Sequence, residues 1–229
     1  QEKWDRDNFA KNEHEQKEEW ENPYFGFPQM IRFAFNPNES ARKHMATLRE
    51  SGMSDAFSAL FKPKSVGRAE DGSHKLFVHE QEILELLEVI DGSKEDEELL
   101  GFLDYDKIKE GKMCRHIVVV LPYCASCDAL EALIKKNADA FKNLDEYEII
   151  NISGVDNPNR YKKPSDIKRA ISKCEAEGKK TITLTVNRML TGSTVPEWDT
   201  MLFFKDTASP QDYDQAIFRL QNQYIKEYV

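Results

Sequence analysis

Thr181-Ile182-Thr183-Leu184-Thr185-Val186, then Asn187-Arg188-Met189-Leu190-Thr191-Gly192-Ser193-Thr194-Val195-Pro196-Glu197-Trp198-Asp199, then Thr200-Met201-Leu202-Phe203-Phe204-Lys205, is the stretch that decides the fold. It reads as a β-branched strand, a loop with Gly and Pro, and a second apolar strand. Working back, Asp166 to Gly178 has helical spacing and is begun by Pro164-Ser165. Tyr147 to Ile152 reads as a strand, Ser126 to Phe141 as a helix and His116 to Pro122 as a buried strand. Working forward, Pro210 to Tyr228 reads as a helix with Ser209 as its N-cap and Pro at its first position. Strands alternating with helices of this length imply parallel pairing through crossovers. In such sheets ligands collect in the loops at the carboxyl ends of the strands.

The first half has another texture. Residues 1 to about 22 are dense in Glu, Lys, Asp and Asn, with Trp4, Phe9 and Trp20 as large apolar residues. Met30 to Phe35 reads as a strand and Ser40 to Ser51 as a helix. From Val78 to Ile90 apolar residues recur at helical spacing, ended by Asp91-Gly92, and a short helix follows over about 96–103. The chain therefore divides into a charged linker with a mostly helical accessory segment, 1–112, and an α/β unit, 113–229. Phe33, Phe35, Phe57, Phe61 and Phe77 are expected to build the accessory segment's own core.

Composition narrows the functional classes. The 229 residues carry 32 Lys and Arg against 41 Asp and Glu, a formal charge of -9. That argues against a dedicated nucleic-acid-binding module, which needs clustered cations to neutralise phosphates. Ile117 to Leu121 is the longest apolar run, too short to span a bilayer. The chain opens on Gln1 with a polar stretch, which reads as an internal piece without a secretory signal. Four cysteines, Cys114, Cys124, Cys127 and Cys174, are too sparse for a disulfide scaffold and point to a reducing cytoplasm.

Leu190-Thr191-Gly192-x-x-x-Pro196 between two strands, then Gln215-Ala216-Ile217-Phe218-Arg219 on the following helix, resembles motifs V and VI of superfamily 2 helicases. The nearest likeness is to motor subunits of restriction systems. The strand from His116 fits the motif IV region, and Asn151-Ile152-Ser153-Gly154 the next strand end. The resemblance covers about residues 113 to 229. It implies a RecA-like parallel sheet flanked by helices, the second, C-terminal lobe of an ATP-driven motor. Carried over residue by residue, it assigns Arg219 the role of catalytic finger. Gln215, Thr191 and Gly192 would line the ATP cleft, and Ser153, Gly154, Thr185 and Arg188 would meet nucleic acid. ATP and Mg2+ would be bound in the intact parent, not by this chain alone. The partners implied are the N-terminal RecA-like lobe and DNA, duplex rather than RNA, with no membrane.

Elementary chemistry fits those roles. A glycine lets backbone approach a ligand closely. Threonine offers hydroxyl and backbone donors to phosphate oxygens. Gln215 and Arg219 are four apart and share a helix face. An Arg inserted from one lobe stabilises charge on a transferring phosphoryl group held by the other. The sequence departs from the family pattern twice. Thr194 stands where Asp is usual two before the Pro, and the second Arg of motif VI is absent. Nor does the chain contain Gly-x-x-x-x-Gly-Lys-Ser/Thr or an Asp-Glu pair after a strand.

Two other classes compete. Cys124-Ala125-Ser126-Cys127, after a buried strand and at a helix start, is also the setting of a thioredoxin-like thiol oxidoreductase. That reading leaves 185–229 unexplained. The alternative is a non-catalytic interaction domain, since 23–110 holds no catalytic motif. Trp198 is expected to be a core or lobe-packing residue.

Overall fold

The computed structural model describes residues 2–11, 15–18, 21–22, 56–93, 103, 114–156, 158, 160–161, 163–186, 195–206, 210–218 and 220. The expected strand at 30–35, the helix at 40–51 and nearly all of the helix at 96–103 lie outside them. Short helices α1 (Glu2–Phe9) and α2 (Ala56–Leu60) come first, followed by α3 (Glu80–Asp91).

Four strands form one sheet in the order β2-β3-β1-β4, all parallel. They are β1 (His116–Val120), β2 (Tyr147–Asn151), β3 (Lys180–Thr185) and β4 (Thr200–Phe203). β1 is central and buried along its length, as expected of a Val- and Ile-rich strand covered on both faces. Its register sets His116 against Thr181 and Val120 against both Thr185 and Phe203. Between the strands run α4 (Cys124–Lys136) and α5 (Pro164–Ala176), and after β4 comes α6 (Pro210–Phe218). The sheet with helices on its faces is the α/β, RecA-like architecture that the sequence implies.

The period of two sorts the side chains between two cores. On one face Ile117, Val119, Ile149, Ile182, Leu184 and Leu202 meet α4 through Leu130, Leu133 and Ile134. On the other, Val118, Ile150, Ile167 and Ile171 enclose Val195 and Trp198, so α5 and the end of the β3–β4 connection share that side. Ala216 of α6 lies against Val120 there. Trp198 is 2 % exposed, a core residue as expected, and its indole N–H donates to Thr183 Oγ1 at 3.2 Å. The alternating threonines of β3 thus bury polar groups with partners. Thr181 Oγ1 is 3.0 Å from His116 Nδ1.

Phe57, Phe61 and Phe77 do not form a separate core. Phe61 stacks on Phe204 at 4.7 Å and meets Phe77 edge-on at 5.9 Å, with Phe57 tilted against Phe204. Ser126 Oγ donates to the Phe61 carbonyl at 2.6 Å, and Asp206 Oδ2 accepts the Ser58 N–H at 2.7 Å. Residues 56–91 therefore pack on the sheet's first face and share its core.

Asp91, fully buried at the end of α3, anchors this packing. Its carboxylate accepts the N–H groups of Lys142, Asn143 and Leu144 at 2.7–3.0 Å and the Ser93 hydroxyl. Gly92 follows with φ of 84°, the left-handed cap that needs no Cβ. α3 begins at Glu80, two residues after the apolar periodicity does, because Val78 pairs its N–H with the Lys62 carbonyl and leaves its side chain exposed. α4 starts at Cys124 and ends at Lys136, short of Phe141. There the Asn137 side chain takes the Leu133 carbonyl, and a 3-10 turn follows over Ala138–Ala140. Among the described residues no helix is long and apolar enough to cross a membrane.

Candidate functional site at the carboxyl ends of the strands

Asn151 ends β2, and its side chain organises the loop beyond it. Oδ1 accepts the N–H groups of Ser153 (3.3 Å) and Gly154 (2.8 Å), an Asx turn. Nδ2 donates to Asp128 Oδ1 and to Glu131 Oε2, each at 3.0 Å. Asp128, from the second turn of α4, accepts the Val155 N–H at 2.6 Å and the Asp156 N–H at 3.4 Å. Burial pushes the Asp128 carboxyl upward, while the loop N–H bonds pull it back. A Cβ on Gly154 would fall on Asp128 Oδ1 and lie 2.6–2.9 Å from the Asn151 amide atoms, so this glycine is required by close approach.

Asp156 then ties this loop to the accessory segment. Lys75 Nζ lies 2.5 Å from one of its oxygens, and His74 Nε2 2.8 Å and Arg68 Nε 3.7 Å from the other. The Lys75 hydrogen bond, ahead of that from His74, holds the Asp156 carboxyl below the usual range and raises the Lys75 ammonium. A polar cleft of about 250 Å³ opens between this loop and α4, lined among others by Lys75, Asp128, Glu131, Lys135 and Arg160.

Of the residues the sequence singled out, Ser153, Gly154 and Thr185 come together at neighbouring strand ends. Ser153 and Thr185 are buried, and their hydroxyls are 3.2 Å apart. Ser153 Oγ also accepts the Val186 N–H at 3.4 Å. These two hydroxyls therefore bond each other and the backbone. Gln215 is exposed on α6, next to the buried pair Ala216 and Ile217. Arg188, Thr191, Gly192 and Arg219 lie outside the described residues, as does Thr194.

The sequence reading missed Asp128, Asp156, His74 and Lys75. Asn151-x-Ser153-Gly154 carried a legible Asx-turn signal. The pairing of Lys75 with Asp156 joins positions 81 apart and left none.

The cysteines separate by environment. Cys124 is exposed at the start of α4, and Cys127 is buried. Burial pushes the Cys127 thiol well above its ordinary value, so Cys127 itself is a poor nucleophile. A soluble thiol reagent is expected to label Cys124 in the native chain and Cys114, Cys127 and Cys174 only on unfolding. Insulin-reduction activity is expected at background, and rapid native labelling of Cys127 would reverse this. Among the described residues no three His, Cys, Asp or Glu side chains converge as a metal site would require.

The fold and the strand-end site define a protein of the α/β, RecA-like class. By sequence, the chain is 32% identical over 176 residues to a protein of Mycoplasma pneumoniae provisionally named as the C-terminus of a type II restriction enzyme and methyltransferase. The match takes in 75% of this chain and 23% of that protein's length. The chain is thus similar to a part, about a quarter, of a longer protein provisionally named for restriction and methylation. No family model matches the chain, and no solved structure matches it.

Proposed function

We propose that this chain is the second motor lobe of an ATP-dependent DNA helicase or translocase in a restriction system, active in the cytoplasm as part of a longer protein. The observation that carries the reading is one of order in space. The segments after β2, β3 and β4, which hold the motif-like residues, all leave the same edge of one parallel sheet. The similarity to a protein named for restriction supports the biological setting.

In this reading the buried Ser153, Gly154 and Thr185 shape the strand ends on the nucleic-acid side, and Arg188, three residues beyond Thr185, supplies the charge there. Gln215, Thr191 and Gly192 line one wall of a cleft closed by the first lobe, and Arg219 reaches into it. ATP and Mg2+ would be held mainly by that first lobe, because this chain has no phosphate-binding loop. Bound there, ATP supplies the phosphoryl transfer that drives movement. The part of this lobe is to place a cation and an amide at the transferring group and to exclude water.

The test compares the 229-residue chain with a protein that joins it to the first lobe. The chain alone is expected to show no DNA-stimulated ATP hydrolysis, and the joined protein to show it. Turnover by the chain alone, or none by the joined protein, overturns the two-lobe reading.

A further inference from the structure

The negative charge of the chain is unevenly placed. Residues 158–180 hold eight Lys and Arg against three Asp and Glu, within a chain of 32 against 41. This stretch is α5, the loop leading into it and the turn that carries Lys179 and Lys180 into β3. α5 turns Ile167, Ile171 and Cys174 to the sheet and leaves Ser165, Arg169, Ser172 and Lys173 exposed, with Lys168 half-buried beside them. Lys163, just before the helix at the carboxyl end of the sheet, is exposed as well, while Arg160 lines the cleft beside α4. Arg160 lies over the Tyr161 ring at 5.4 Å.

All three acids of the stretch have partners of their own. Asp166 accepts the Lys163 N–H at 3.0 Å, Glu175 lies 3.6 Å from His116 Nε2, and Glu177 is 2.9 Å from Lys179 Nζ. Lys173 has only a loose approach to Glu177, at 3.9 Å. Among the described residues neither Lys168 nor Arg169 has a carboxylate partner. Meanwhile the described amides at the start of the neighbouring loop are taken by side chains: Ser153 and Gly154 by Asn151, Val155 and Asp156 by Asp128 of α4.

We infer that the face formed by Lys163, Lys168, Arg169 and Lys173 binds the sugar–phosphate backbone of duplex DNA. Arg169 and Lys173 stand one turn apart, a rise of about 6 Å along the helix, and Ser165 and Ser172 add hydroxyl donors of the kind that fix phosphates. The exposed face of α5 carries no large apolar side chain, so it lacks the anchor a protein interface or a membrane surface needs. The choice of DNA as the polyanion rests on the motor-lobe reading; the charge argument does not.

The test is anisotropy of a fluorescein-labelled duplex with the 229-residue chain across about 50–200 mM salt. The variant K168Q/R169Q/K173Q is expected to bind at least about tenfold more weakly and to flatten the slope of log K against log salt by about 2 to 3, near 0.9 per lost contact. K62Q/K64Q, exposed and outside the face, should leave both unchanged. No binding by the unaltered chain, equal losses in the two variants, or tighter binding of polyglutamate than of the duplex each overturns the assignment. The last would make the face one for an acidic protein. ATP plays no part in this measurement. Failure here leaves the motor reading standing, and salt-sensitive binding without turnover in the joined protein would remove only the motor.

Discussion

Asp91→Ala is expected to destabilise the chain by about 3–5 kcal/mol, because the Asn143 and Leu144 N–H groups lose their acceptor, at about 1–3 kcal/mol for each buried orphan, and the Lys142 N–H keeps only the Ser93 hydroxyl at 3.3 Å. The carboxylate sits at the C-terminal end of α3, where the helix dipole disfavours negative charge. It is tolerated because the amides of Lys142, Asn143 and Leu144 converge on it. For a chain of this size each kcal/mol moves Tm by about 2–4 °C, so a drop of roughly 10 °C is expected. Asp91→Asn should fall between, since its amide oxygen can accept while its NH2 faces a donor. Hydrogen exchange should locate the damage: protection lost in α3 and over 142–146 before β1. A thermal shift below about 2 °C, at most about 0.5–1 kcal/mol on the same scale, would show that the clamp is dispensable.

Arg219→Ala in the joined two-lobe protein is expected to raise the barrier to ATP turnover by about 2–4 kcal/mol, roughly 30- to 1000-fold in rate. The chain presents one Arg where the helicase pattern has two, so on the proposed motor reading the charge-stabilising role would fall on it. Its position follows directly on α6, whose neighbouring residues Ala216 and Ile217 are buried. Arg219→Lys should restore only part of the rate, because an ammonium cannot reproduce the planar, forked guanidinium. Folding is expected to be unaffected, as read from the unfolding midpoint. Unchanged turnover in Arg219→Ala would return the role to Arg188 or to the other lobe.

The sequence by itself determined the sheet. His116–Val120, Tyr147–Asn151, Lys180–Thr185 and Thr200–Phe203 all fall within the predicted strands to within two residues. A strand buried on both faces must be a short β-branched run, whatever surrounds it, and alternation with helices then forces parallel pairing. Pro164 likewise announced the start of α5. What only the tertiary structure decided is who meets whom across long separations. Phe61 and Phe77 look like the core of their own segment until Phe204 is set beside them, since an apolar side chain records that it is buried and not against what. Asp91, Asp128 and Asp156 are three acids among 41 acidic residues until folding surrounds two of them with backbone amides and the third with Lys75 and His74. Ser153 and Thr185, legible as phosphate donors, bond each other because parallel register brings the ends of β2 and β3 side by side. Hydrogen bonding and charge pairing act over a few ångströms in space, and chain order does not encode that proximity once the partners lie tens of residues apart.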